Sequence, residues 1–283
     1  MNLCVNVMTV NRPKYLYVCL DAIYRNSIIP DVYVYIDKLE NDENSYQENL
    51  SVIGEFPVTG VFMNKIHNGV GNQFWDSFEK GFTLGYDYCL YLEDDWLITT
   101  DAFKWLYECP KVATYYSIHR WTNCAISKHP EGYELLLGVG DDDSPAILKN
   151  GDCLSWCLMF YKESFDFINK IKKARAYLGQ HPALTLIEIN RMEQFDWDRI
   201  MIYIAATYKT IGLIPPKPLL AHFGNRTCML EGGYGASGDD IQNIMFAGDK
   251  TQWLNNIANI FETYSIEDLG RINFAPITDF KYH

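Results

Sequence analysis

Leu3 to Val10 (LCVNVMTV) alternates, is rich in β-forming residues, and stops at Asn11-Arg12-Pro13, a loop signal. Lys14 to Ser27 then carries Leu16, Cys19, Leu20 and Ile23 at the i, i+3, i+4, i+7 spacing of a helix. Asp31 to Ile36 (DVYVYI) predicts a second strand ending at Asp37, and the polar tract Asn41 to Asn49 a loop or an exposed helix. Val58 to Met63 predicts a third strand. His67 to Asn72 (HNGVGN) is a glycine-bearing turn into a helix from Gln73 to about Leu84. Tyr88 to Leu92 (YCLYL) is nearly all apolar, as expected of a strand buried on both faces, and it runs into Glu93-Asp94-Asp95.

Strands alternating with helices imply an α/β fold with a mostly parallel, Rossmann-like central sheet flanked by helices. Ligands in such sheets bind outside the carboxyl ends of the strands. Asn11, Arg12, Asp37, Asn68 and Asp95 all sit at or just after predicted strand ends, so they should converge on one rim. Beyond Asp101 the pattern loosens. A helix to about Glu108, strand-like pieces such as Thr114 to Ile118 and Leu154 to Phe160, and a helix from about Glu163 to Leu178 are separated by irregular stretches. Gly138 to Gly151 reads as a mobile surface loop. Phe195 to Asp198 opens a helix into Thr207, and a short strand leads to His222-Phe223. The expected organisation is one domain over 1–283, with a ligand-binding half at 1–100, a second half at 101–235 and a helical or irregular segment at 236–283.

Composition narrows the function classes. The formal charge of −12 argues against a general nucleic-acid binder, which needs a surplus of Lys and Arg. No run approaches the roughly 18 apolar residues that span a bilayer, so no stable membrane insertion is expected. Eight cysteines without a CxxC pair read as reduced thiols in a cytoplasmic setting.

Glu93-Asp94-Asp95 is the sharpest chemical feature. Three carboxylates ending a buried strand repel one another and are costly to desolvate. A divalent cation compensates naturally, since Mg²⁺ or Mn²⁺ prefers oxygen ligands and bridges a carboxylate to substrate phosphates. The alternative is a solvated acidic turn, against which the flanking apolar strand and Trp96-Leu97-Ile98 both argue.

YLEDDWLITTDAFKWL (Tyr91 to Leu106) resembles the metal-binding DXD motif of GT-A fold glycosyltransferases, and Val5 to Ile23 is similar to their first strand, loop and helix. HNGVGNQFWDSFEKGF (His67 to Phe82) resembles their Asn-Gly-Gly-Asn turn. CLSWCLMFYKESFDFI (Cys153 to Ile168) and QFDWDR (Gln194 to Arg199) resemble the acceptor-side Gly-Leu-Gly-Trp and Trp-Asp-Asp-Trp segments of N-acetylglucosaminyltransferases. Only the ordered set is specific, and it spans about Leu3 to Gly224. The resemblance implies metal-dependent transfer of a sugar from a nucleotide diphosphate, a UDP-sugar being favoured, to an acceptor hydroxyl. Asp95 would then hold Mn²⁺ or Mg²⁺, and Thr9, Asn11, Arg12, Asp37, Asn68, Gly69, Glu93 and Asp94 would line the donor site. His222 matches a second metal ligand of many GT-A enzymes, although the N-acetylglucosaminyltransferases do not use it. Trp156 and Trp197 would stack on the acceptor. An inverting enzyme needs a base: Asp196 matches that position, Asp198 is the alternative, and Asp196 could equally be a helix N-cap.

Two other readings compete. A sugar-1-phosphate nucleotidyltransferase shares a related sheet, but usually carries a glycine-rich basic loop after its first strand, where this chain has Thr9-Val10-Asn11-Arg12-Pro13. A sugar-binding module that kept the fold and lost the reaction is the third. The acceptor is left open among a glycan, a lipid-linked sugar, a protein and a modified nucleic-acid base.

Overall fold

The computed structural model describes residues 2–39, 43–109, 113–117, 146–148, 157–180, 185–195, 197–208, 210, 212–214, 219–223 and 243–263. The N-terminal part runs β1 (Leu3–Thr9), α1 (Pro13–Tyr24), β2 (Asp31–Ile36), α2 (Glu43–Ile53), β3 (Gly60–Met63), α3 (Val70–Thr83) and β4 (Tyr88–Glu93). After it come β5 (Trp96–Ile98), α4 (Ala102–Glu108), β6 (Tyr115–Ser117), β7 (Ala146–Leu148), β8 (Leu158–Tyr161) and α5 (Lys162–Lys173). A 3₁₀ turn (Ala176–Gln180), α6 (Leu186–Phe195), α7 (Trp197–Tyr208), β9 (Gly212–Ile214), β10 (Leu220–His222) and α8 (Lys250–Thr263) complete it.

Eight strands form one sheet in the order β3-β2-β1-β4-β8-β6-β9-β7. Its first four strands are parallel to one another, β6 and β9 are also parallel, and β8 and β7 enter antiparallel. The expected α/β architecture with a mostly parallel sheet is therefore present. Within the stretch read as a mobile loop, 138–151, only β7 is described, and there the expectation fails: β7 is a strand that pairs with β9. Three-residue strands carry no periodicity to read. The second half also holds α6, whose apolar Leu186 and Ile187 are exposed, so no buried stripe marks it.

The topology fixes where a ligand belongs. From β1 the chain steps outward to β2 and β3, then returns to place β4 on the other side of β1. A crevice opens at such a reversal, outside the carboxyl ends of the two central strands. Met8 pairs with Glu93, and the ladder continues one step as Asp94 N–H donates to the Met8 carbonyl at 3.0 Å. Asp94 and Asp95 form the turn between β4 and β5. A separate two-stranded sheet, β5 with β10, clamps that turn, and Phe223 N–H donates to the Asp95 carbonyl at 3.0 Å.

The second half closes against the first through α3. A Cβ on Gly71 would lie 2.6 Å from the Glu193 carbonyl oxygen, so only glycine lets α3 approach the end of α6 this closely. Phe74 stacks on Trp197 at 3.9 Å between ring centroids and 10° between planes.

Candidate functional site

The β1–α1 loop delivers the first charged group. Pro13 opens α1 with its φ already helical, and Arg12 at the N-cap makes no side-chain capping bond. Its guanidinium reaches across the switch point and clasps both acids: Nη1 donates to Asp95 Oδ2 at 2.8 Å and Nη2 donates to Asp94 Oδ1. Tyr15 lies beneath the guanidinium, 5.3 Å from ring centroid to Cζ. Thr9, the last residue of β1, donates its hydroxyl to Asp94 Oδ2 at 2.7 Å, a contact dictated by the extended β1–β4 ladder.

Asp94 is fully buried and Asp95 is 6% exposed. Burial pushes the Asp94 carboxyl up to about 6, because desolvation outweighs the attraction of Arg12 and the Thr9 hydrogen bond. Arg12 moves the other way in effect: burial opposes its charge, but Asp94 and Asp95 hold it more firmly cationic than usual. The two shifts pull oppositely on one ion pair. The carboxylate is the strained partner, being wholly enclosed while the Arg12 side chain keeps 36% exposure.

A cleft of about 490 Å³ opens beside this cluster, lined by Thr9, Arg12 and Glu93 and by Trp197 and Asp198 from α7. Glu93 accepts the buried Tyr91 hydroxyl at 2.8 Å. Burial, with Glu93 next, raises the Tyr91 phenol well above its ordinary value, so it stays a donor. Asp37, Leu39 and His67 border the same cleft beyond β2.

The predicted residues meet unevenly. Thr9, Arg12, Asp37, Glu93, Trp197 and Asp198 border the cleft, with Asp94 and Asp95 beside it through Arg12. Asn11 is exposed and does not line it. Asp37, read as a donor-holding carboxylate, is spent within the protein. Its oxygens accept the Asn68 and Gly69 N–H groups at 2.8 and 2.9 Å, the Asn64 amide and Lys38 N–H at 3.0 Å each, and face His67 Nδ1 at 2.9 Å. It fixes the turn in which Gly69 takes φ 81°, a left-handed value suited to glycine, and so it sets the start of α3. Asn68 itself donates to Asp76 at 3.0 Å. Trp197, read as an acceptor platform, is 4% exposed and packs between Phe74 and Tyr91, leaving only part of its surface at the cleft. The His222 backbone pairs with Trp96, one residue from Asp95. Its side chain, together with Asp196 and Trp156, lies outside the described residues. Sequence reasoning missed His67 and Gln73 as cleft residues; the turn before α3 marked the first, and nothing distinguished the second from an ordinary helical glutamine.

The donor set can be weighed against a divalent ion. Every candidate ligand at the acid turn is a carboxylate oxygen, which suits Mg²⁺ or Mn²⁺. Among the described residues no three acidic, His or Cys side chains gather as a cage. The turn therefore fits an ion carried mainly by a ligand's phosphates and anchored through a carboxylate, once Arg12 yields its place.

No protein-family profile and no curated protein matches the chain. Among solved structures, S. aureus TarS 1–349 overlaps 95% of this chain and 74% of its own, with a TM-score of 0.49 and 14% identity. A cytidylyltransferase from Leptospira borgpetersenii overlaps 93% of this chain and 94% of its own, with a TM-score of 0.44 and 11% identity. The mannosyltransferase PcManGT from Pyrobaculum calidifontis, in complex with GDP-Man and Mn²⁺, overlaps 42% of this chain and 36% of its own (TM-score 0.32, 18% identity). At these identities and scores the overlaps assign neither activity nor ligand. No helix among the described residues is long and apolar enough to cross a membrane.

Proposed function

We propose that the chain is a nucleotide-sugar-dependent glycosyltransferase of the GT-A type, acting at the crevice between β1 and β4. One observation carries this reading: a buried acid pair at the switch point, clasped by Arg12 and opening on a cleft of about 490 Å³. Buried carboxylates held by one exchangeable cation suit a site whose ligand brings both positive and negative charge.

A nucleoside diphosphate entering the cleft offers Arg12 phosphate oxygens, which a guanidinium can take bidentately. Asp95 would then anchor Mn²⁺ or Mg²⁺, with Asp94 held in place by Thr9. A bound ion would neutralise charge on the leaving diphosphate. The acceptor hydroxyl must lose a proton to a carboxylate that lines the cleft. Asp198 is such a residue, and Asp196 precedes it by two residues. Inverting stereochemistry, a UDP-type donor and His222 as a further ligand belong to the same proposal. A nucleotidyltransferase usually holds its triphosphate on a glycine-rich loop with several cations after β1, whereas Thr9 to Pro13 brings a single arginine and no glycine.

The test is a thermal-shift panel of UDP, GDP, CDP and dTDP with Mn²⁺ or EDTA, on wild type and Asp95→Ala. Ligand at a hundred times its dissociation constant stabilises by about 2.7 kcal/mol, a rise of roughly 5–10 °C for a chain of this size. A shift with one nucleotide that EDTA or Asp95→Ala abolishes is the expected result. Folded protein that ignores all four nucleotides would sink the proposal. Asp196→Asn and Asp198→Asn, assayed for turnover with donor binding intact, separate the two base candidates.

A further inference from the structure

Among the described residues, the Nε2 group of Gln73 is satisfied by nothing. Gln73 lies in the first turn of α3, is 5% exposed and borders the cleft. Its buried Nε2 makes no hydrogen bond. Its backbone is ordinary, with the N–H donating to the Gly69 carbonyl at 3.0 Å, so the side chain alone stands out. Buried atoms without partners also occur at Tyr24, Asn26, Asn49, Trp75, Asn169, Thr210 and Trp253, but none of these residues borders the cleft. A buried amide directly before Phe74 and Trp75 of the aromatic layer is a poor choice for packing: a methionine would fill similar space without a polar group to desolvate.

We infer that Gln73 binds the sugar of the donor, its carboxamide hydrogen-bonding the hydroxyls of the transferred ring; this rests on the glycosyltransferase reading above. Three placements support the choice of sugar over base or phosphate. The diphosphate region is marked by Arg12 and the acid pair. The end of the cleft beyond β2 is marked by Asp37, Leu39 and His67. Gln73 sits one helical turn past the Asp37-bound Gly69 and shares the cleft with Trp197 and Asp198. The sugar's anomeric carbon must lie next to the carboxylate that deprotonates the attacking hydroxyl, which puts the ring on this side. A carboxamide offers two donors and one acceptor, and neighbouring sugar hydroxyls both donate and accept. Swapping its N and O is conformationally cheap, so either can face the ligand.

The experiment compares wild type with Gln73→Met in Mn²⁺, titrating the nucleoside diphosphate that shifts the wild type and its glucose, galactose, mannose and N-acetylglucosamine conjugates. Calorimetry gives the affinities and thermal melting gives the ligand-free stability. The expected pattern is opposed in sign. The ligand-free variant melts about 2–4 °C higher, the scale of one removed unsatisfied group in a chain of this size. Its affinity for the preferred nucleotide sugar falls about 10-fold, while the nucleoside diphosphate binds within about 2-fold of wild type; a factor of ten corresponds to about 1.4 kcal/mol. Equal weakening of both ligands would overturn the assignment to sugar, as would no weakening of either. A lower melting temperature would mark the amide as structural. Wild type that binds no nucleoside diphosphate would bring down the glycosyltransferase reading, and this inference with it.

Discussion

The two faces of the central sheet are made of different chemistry. Leu3, Val5 and Val7 of β1, Val32, Val34 and Ile36 of β2, and Leu90 and Leu92 of β4 join a largely aliphatic core with α1, α2 and α4. The alternate residues, including Cys4, Met8, Tyr35, Cys89 and Tyr91, face a layer dominated by rings, with Phe74, Trp75, Phe78 and Phe82 of α3, Phe165 of α5 and Trp197 of α7. The aromatic layer also hides polar groups: Asn6 donates to the Ser77 carbonyl at 3.1 Å, and the Tyr91 hydroxyl to Glu93 at 2.8 Å. The aliphatic face fills space. Rings with polar tips fill space and reach the cleft as well, which is why the walls supplied by α3 and α7 grow from that side.

The strongest way to break this contrast is a matched pair of truncations. Phe74→Ala removes the ring stacked on Trp197 and should cost about 3–5 kcal/mol, and Leu20→Ala on the aliphatic face about 2–5 kcal/mol. Chemical denaturation gives the costs. Calorimetry should then find nucleotide-sugar binding weakened in folded Phe74→Ala and unchanged in Leu20→Ala; equal losses would erase the division between faces. Gly71→Ala is the next largest. Its Cβ would meet the Glu193 carbonyl oxygen at 2.6 Å, so α3 and α6 must separate, at about 1–3 kcal/mol. Donor binding should survive better than turnover, because α7 follows directly from α6.

Tyr91→Phe deletes one hydrogen bond to Glu93 at a cost of about 1 kcal/mol and should leave the fold intact. The smallest effect concerns Glu193, whose carboxylate Arg175 clasps at 2.7 and 2.8 Å. Burial alone would raise the Glu193 carboxyl, but the Arg175 hydrogen bonds and charge bring it below its ordinary value. A carboxylate lowered in the folded state adds stability above the unfolded value of 4.5 and loses it as pH falls through the lower folded value. Glu193→Gln should therefore flatten the stability curve below pH 4.5 and, with Arg175 partly exposed, cost under about 1 kcal/mol at neutral pH.

What could be read from the sequence follows burial. β2 was legible over its full span, Asp31 to Ile36, because a short β-forming run bounded by turn signals has few alternatives. The meeting of Arg12 and Asp95 was legible as a strand-end coincidence, since a parallel sheet turns chain order into one rim. Strands β7 and β9 were not, being three residues each and defined by pairing with one another. Trp197 could not be placed from sequence, because a tryptophan beside candidate acids reads the same whether it faces a ligand or stacks on a phenylalanine 123 positions earlier, and here it lines the cleft while stacked. Asp37 was legible by its place at a strand end, but the five neighbouring groups that its carboxylate meets were not. Contacts of that kind are tertiary, and no local pattern encodes them.

The clasp between Arg12 and the two acids has a consequence for how the proposed site tells its ligand from the background of the cell. A bare cation must evict a charge of its own sign from Asp94 and Asp95 and leaves the guanidinium with nothing to hold. A bare anion can draw Arg12 away, but strands two carboxylates in a dry turn. Under the proposed function only a cation and a diphosphate arriving together would satisfy every charge in one exchange, and the clasp would act as a coincidence detector, indifferent to either signal alone.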